Sequence, residues 1–127
     1  MRALIIDDSR AMRSILRRIV NGLGFESAEA GDGQQALDVL ESGFNPDICL
    51  IDWNMPVMDG YTFITKVRDN PEWRSMTLMM VTTESEQKQI VRALAAGAHE
   101  YVIKPFTPDA IADKLELLGL RATEVPA

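Results

Sequence analysis

Pro46-Asp47-Ile48-Cys49-Leu50-Ile51-Asp52-Trp53-Asn54-Met55-Pro56-Val57-Met58-Asp59-Gly60 is the stretch that decides the fold. A loop signal opens it, the apolar run Ile48 to Ile51 follows, and a polar, proline-containing loop closes at Asp59-Gly60. A short apolar run with β-branched residues between turn signals fits a buried strand of a parallel sheet. Asp52 then stands where that strand reaches the surface, the edge at which open α/β sheets bind their ligands. A single Asp in such a place more often just starts a turn. The chemical reading of Asp52 therefore depends on other groups arriving at the same edge.

The pattern repeats on both sides. Upstream, Ala3 to Ile6 is a second buried run and ends at Asp7-Asp8-Ser9. Met12, Ile15, Leu16, Ile19, Val20 and Leu23 recur at steps of three and four, one face of an amphipathic helix that Gly22 and Gly24 punctuate. Phe25 to Ala30 alternates apolar and polar, which predicts a half-exposed strand near the sheet edge. Asp32 and Gln35 suit a capping box for a helix carrying Ala36, Leu37 and Leu40 and ending near Gly43.

Downstream, Tyr61 to Arg68 predicts a third helix with Phe63, Ile64 and Val67 inward, followed by a loop at 70–73. Leu78 to Val81 predicts a fourth buried strand ending at Thr82-Thr83, and Thr83 and Glu86 suit the cap of a fourth helix. Its apolar residues are Ile90, Val91, Leu94 and Ala95, and Gly97 ends it. Tyr101 to Ile103 is a short fifth strand reaching Lys104-Pro105. Thr107 and Pro108 provide the N-cap and first position of a fifth helix with Ile111, Leu115 and Leu118 inward. Residues 121–127 have no periodicity and are expected to fray, which gives one domain over 1–120 and a short C-terminal tail.

Five strand–helix alternations mean right-handed βαβ units and a parallel sheet covered on both faces. An eight-unit barrel needs about 250 residues, so the expected architecture is an open three-layer α/β sandwich. With 127 residues, 46% hydrophobic and 25% charged, the chain suits one soluble domain with its own core. Its one cysteine, Cys49, lies inside the central strand, so it fits a reducing compartment and is expected to act as a small hydrophobe. The first apolar run is too short for a secretory leader or a membrane span, and the cytoplasm is the expected location. A net charge of −6 argues against nucleic-acid binding. Protein partners are expected instead.

All carboxyl ends of a parallel sheet share one edge, and they deliver Asp7-Asp8, Asp52, Thr82 and Lys104 together. Clustered carboxylates repel one another and call for a cation. Hard oxygen donors suit Mg²⁺, whereas metals that favour His or Cys find only His99 and the buried Cys49. Taken alone, Asp7-Asp8 serves equally well at the positive end of the first helix. Its chemical meaning comes from Asp52 and Lys104.

As a set, Asp7-Asp8, Asp52 to Pro56 with Asp59-Gly60, Val81-Thr82, and Tyr101 to Phe106 with Lys104-Pro105 resemble the receiver domain of bacterial two-component response regulators. The likeness runs from Ala3 to about Leu118 and is greatest to the stand-alone chemotaxis receivers. The resemblance implies the flavodoxin-like, doubly wound strand order 2-1-3-4-5, which puts Asp7-Asp8 and Asp52 beside one crevice. It also implies a mechanism. Asp52 would be the phosphoacceptor, taking its phosphoryl group from a sensor histidine kinase. Asp8, Asp52 and the backbone carbonyl of Asn54 would hold Mg²⁺, with Asp7 acting through water. Lys104 would pair with one phosphoryl oxygen, Thr82 would donate its hydroxyl to another, and Tyr101 would swing inward as the switch. The Lys104–Pro105 peptide would be cis, and the fourth helix, fifth strand and fifth helix would form the readout surface. Such a domain is no conventional enzyme, although it supports its own phosphorylation and dephosphorylation.

Around this core, Thr83 would narrow access to the phosphoryl group or simply cap a helix, Glu84 would influence attacking water, and Trp53 is read as a partly exposed bystander. A Mg²⁺-dependent aspartyl-phosphate hydrolase is the alternative from the enzymes. It usually needs Asp-x-Asp after its first strand, where this chain has Asp7-Asp8-Ser9. A flavin binder would need a Ser/Thr/Gly phosphate loop there, and neither Gly22-x-Gly24 nor Gly31-x-Gly33 completes a dinucleotide fingerprint. The output stays open between binding a flagellar switch protein and acting as a phosphate sink or relay to a histidine phosphotransferase.

Overall fold

The computed structural model of the chain describes residues 1–83 and 87–120. Five strands, β1 (Arg2–Ile6), β2 (Glu26–Ala30), β3 (Ile48–Ile51), β4 (Thr77–Thr83) and β5 (Glu100–Lys104), alternate with five helices. The helices are α1 (Arg10–Gly22), α2 (Gly33–Glu41), α3 (Gly60–Asp69), α4 (Gln87–Ala96) and α5 (Pro108–Leu117). All strand pairs are parallel, in the order β2-β1-β3-β4-β5, so the fold is the flavodoxin-like doubly wound sandwich. Residues 70–73 are more than a loop, because Asn70 accepts the Glu72 N–H at 3.0 Å and starts a 3-10 turn over Pro71–Trp73.

Alternation along each strand divides the core in two. Leu4, Ile6, Cys49, Ile51, Leu78 and Met80 face α2, α3 and α4, whereas Ala3, Ile5, Ile48, Leu50, Met79 and Val81 face α1 and α5. Strands buried on both sides cannot alternate apolar with polar, which is why β1, β3 and β4 read as continuous apolar runs. β2 pairs only with β1 at the sheet edge and stays partly exposed from Glu26 to Glu29, with only Ala30 buried. Each fully buried Leu, Ile or Phe contributes about 1.5–3 kcal/mol of transfer free energy, so these two layers outweigh any surface term.

Caps set the helix boundaries. Ser9, Asp32, Asp59 and Thr107 accept the backbone N–H of Met12, Gln35, Thr62 and Ala110, respectively. Gln35 completes the box one residue earlier than expected, accepting the Gly31 N–H at 2.8 Å. Two apolar faces differ from expectation. Ile15, assigned inward on α1, is 48% exposed, because Leu16 and Val20 already fill the space over the sheet. On α4 the buried residues are Ile90 and Ala93, while Val91 (71% exposed) and Leu94 (40%) face solvent. The proposed cap through Glu86, the role of Glu84 and the tail at 121–127 lie outside the described residues.

Candidate functional site

β1 and β3 are neighbours, and Asp52 is fixed one step beyond β3 when its N–H donates to the Ile6 carbonyl at 2.8 Å. One carboxylate oxygen from each of Asp7, Asp8 and Asp52 then lies within 4.8 Å of the others. Asp7 is buried and held twice. Its Oδ1 accepts the Ser9 N–H at 2.8 Å, and its Oδ2 accepts from Lys104 Nζ at 3.0 Å. Asp8 is exposed. Ser9, given no capping role in the sequence, is the N-cap of α1, so the cap does not require Asp7 or Asp8. The signal was available, since Ser is a preferred N-cap residue and follows the pair directly.

Lys104 arrives from the end of β5, and its Nζ stands 3.5 Å from Asp52 Oδ1 as well as 3.0 Å from Asp7. Burial pulls its pKa down, but the charge of Asp52 and the hydrogen bond and charge of Asp7 outweigh burial and leave it raised. Lys104 therefore remains an ammonium at neutral pH. Its peptide bond to Pro105 is cis. Thr82, near the end of β4, is buried, and its Oγ1 has no hydrogen-bond partner among the described residues. Tyr101 is half-buried on β5 and outside the carboxylate cluster, with Lys114 Nζ 5.3 Å from its ring centre. Lys114 also pairs with Glu100 at 3.1 Å.

The loop after Asp52 is held by its own backbone. Gly60 N–H donates to the Trp53 carbonyl at 2.9 Å, and a Cβ on Gly60 would stand 2.5 Å from the Asp52 carbonyl oxygen. No larger residue fits there. Asn54 follows on the exposed part of this loop. Trp53 is the clearest departure from the sequence reading. It is only 6% exposed, belongs to the core, and packs on Tyr61 of α3 with ring centres 5.9 Å apart. The tight return at Gly60 folds the indole inward. Cys49 fits its expected role, since burial pushes its thiol up to about 12 and leaves it inert at neutral pH.

The donor set is all oxygen, with no imidazole or thiolate in the cluster, and it fits a hard divalent cation. Residues 3–116 match the response regulator receiver domain. The chemotaxis protein CheY of Pseudomonas aeruginosa is 42% identical over 117 residues, covering 91% of this chain and 94% of that one. Among solved structures, the chemotaxis protein CheY4 of Vibrio cholerae superposes with a TM-score of 0.84 at 30% identity, covering 91% and 96% of the two chains. The receiver domain of a Pseudomonas aeruginosa sensor histidine kinase, with magnesium coordinated in its active-site cleft, superposes at 0.82 with 25% identity, covering 91% and 94%. By its fold, its acidic edge and its match over nearly the whole length, this chain belongs to the response regulator receiver domains.

Proposed function

We propose that this chain is the phosphoacceptor receiver of a two-component response regulator. Asp52 accepts a phosphoryl group from the phosphohistidine of a sensor histidine kinase in a Mg²⁺-dependent reaction, and phosphorylation switches binding to a protein partner. The observation that carries this reading is the convergence of Asp7, Asp8 and Asp52 within 4.8 Å, with Lys104 at 3.0 and 3.5 Å. In the transfer, an Asp52 carboxylate oxygen attacks phosphorus. The phosphorus–nitrogen bond breaks, and its electron pair stays on the donor imidazole. Asp8, Asp52 and the Asn54 carbonyl would hold Mg²⁺, with Asp7 acting through water. Bound there, Mg²⁺ supplies positive charge that offsets the negative charge of carboxylate and phosphoryl oxygens, most of what such a transfer requires.

Lys104 exchanges its pairing with Asp52 for a phosphoryl oxygen. The Thr82 hydroxyl donates to another, and Tyr101 follows it inward, so that phosphorylation shifts a population between two packings. The exposed Val91 and Leu94 on α4, together with the groove lined by Tyr101, Ile103, Phe106 and Lys114, support a protein-binding readout on α4, β5 and α5. The names of the relatives support a readout in chemotaxis, with a flagellar switch protein as the inferred partner. We take 1–120 as the receiver. No helix among the described residues is long and apolar enough to cross a membrane, and we infer a cytoplasmic location.

Intact mass after incubation with acetyl phosphate tests the chemistry. One added phosphoryl group is expected for wild type with Mg²⁺, and none without Mg²⁺ or in Asp52→Asn. Should acetyl phosphate fail, a histidine kinase is the next donor. Folded protein that accepts from neither would sink the phosphoacceptor assignment.

A further inference from the structure

The loop that carries Asn54 is pinned from outside as well as by Gly60. Gly33, the first residue of α2, donates its N–H to the Met58 carbonyl at 3.0 Å. A Cβ built on Gly33 would lie 2.7 Å from Met58 Cγ, 2.8 Å from the Met58 carbonyl oxygen and 2.9 Å from Met58 Cβ. Gly33 is not among the glycines with positive φ, so contact rather than dihedral angle calls for glycine here. Between the two pins the Met58 N–H turns back to the Pro56 carbonyl at 2.7 Å, and Val57 is driven to a φ of 67°. A β-branched residue is strained in that region. Val57 is 83% exposed, so its side chain buries little that would offset the strain. The turn persists because its surroundings hold it.

We propose that Gly33 is a positioning residue for the metal-binding loop. Its backbone grip on Met58 sets how deeply the 53–59 loop seats over the acidic edge, and thereby where the Asn54 carbonyl stands. This rests on the reading of Asp8, Asp52 and the Asn54 carbonyl as Mg²⁺ ligands. Carboxylates on rotatable side chains adjust to a cation, but a backbone carbonyl moves only with its loop. Mg²⁺ demands near-octahedral geometry at short distances, so a few tenths of an ångström at that carbonyl are felt in affinity. The close approach of α2 makes this helix part of the site although it contributes no side chain to it.

Calorimetric titration of the full chain with Mg²⁺ tests the proposal on wild type, Gly33→Ala and Gly31→Ala. Gly31 is the matched control, since an added Cβ there meets only side-chain atoms of Gln35 and Arg13, none nearer than 3.2 Å. Gly33→Ala is expected to weaken Mg²⁺ binding about tenfold, as loss of an outer-shell partner commonly does, and Gly31→Ala by less than about twofold. The Asn54 amide resonance of the Mg²⁺-free protein should move in Gly33→Ala and stay in Gly31→Ala. A second variant adds no atoms: glycolic acid in place of Gly33 makes the linkage an ester and deletes the N–H. It should weaken binding in the same direction, and it decides the matter if Gly33→Ala does not fold. Wild-type affinity in folded Gly33→Ala, or in the ester protein, would overturn the proposal. A wild-type protein that binds no Mg²⁺ would overturn the metal reading instead.

Discussion

Thr82 keeps a hydroxyl in the protein interior with no hydrogen-bond partner among the described residues. A buried hydroxyl without a bond costs about 1–3 kcal/mol on the scale of protein mutations. Thr82→Val, nearly the same shape, should therefore raise stability in urea by about 1–2 kcal/mol in the unphosphorylated protein. If Thr82→Val is no more stable than wild type, the hydroxyl is satisfied after all and the idea of a group kept waiting for a phosphoryl oxygen loses its support. That residue, with Asp7, Asp8, Asp52 and Lys104, was legible in the sequence because an apolar run of known length fixes where its strand ends. Trp53 was not. Its burial depends on the path of the chain through Gly60 and on the ring of Tyr61, a contact between residues eight apart that periodicity does not encode.

Helices α3 and α4 are tied together by one side chain. Arg68, in the last turn of α3, donates to the Gly97 carbonyl from Nε at 3.1 Å and from Nη2 at 2.7 Å. Its Nη1 donates to the carbonyls of Arg74 at 2.9 Å and Met76 at 3.1 Å. A planar guanidinium reaches all three carbonyls at once, which a lysine ammonium cannot match. Hydrogen bonds to a charged group are worth about 1.5–3 kcal/mol net of exchange with water. These are only partly buried and share one side chain, so Arg68→Ala should lose about 2–3 kcal/mol in all and Arg68→Lys recover little of it. Urea unfolding of the three proteins measures this, and a loss below about 1 kcal/mol would mean that water replaces the guanidinium. Element existence was plain from the sequence, but the inward face of α4 was not. Ile90 with the small Ala93 lets the helix lie close to the sheet, while the bulkier Val91 and Leu94, which hydropathy alone would bury, are left outside.

Across the whole molecule, five alternations established the parallel sandwich, but strand order is not written in run lengths. It followed from resemblance, and the pairing of β1 with both β2 and β3 bears it out. Whole-molecule behaviour still depends on single groups where the chain has few of a kind. His99 is the one histidine, at the junction of α4 and β5. Its Nδ1 accepts the Leu78 N–H at 3.1 Å and faces Arg68 Nη2, also a donor, at 3.3 Å. Two donors on Nδ1 leave no room for a proton there. Burial first, and the charge of Arg68 second, accordingly hold the imidazole below its ordinary 6.5. The unfolded chain thus takes up its proton at higher pH than the folded one, so stability is full above that value. It declines as pH falls through the unfolded value toward the depressed folded one. The urea midpoint of wild type should fall between pH 7.5 and 5.5, about a unit either side of the unfolded pKa, while that of His99→Gln stays level. An equal fall in His99→Gln would show that the acid sensitivity does not come from His99, and the α4–β5 junction would then be indifferent to pH.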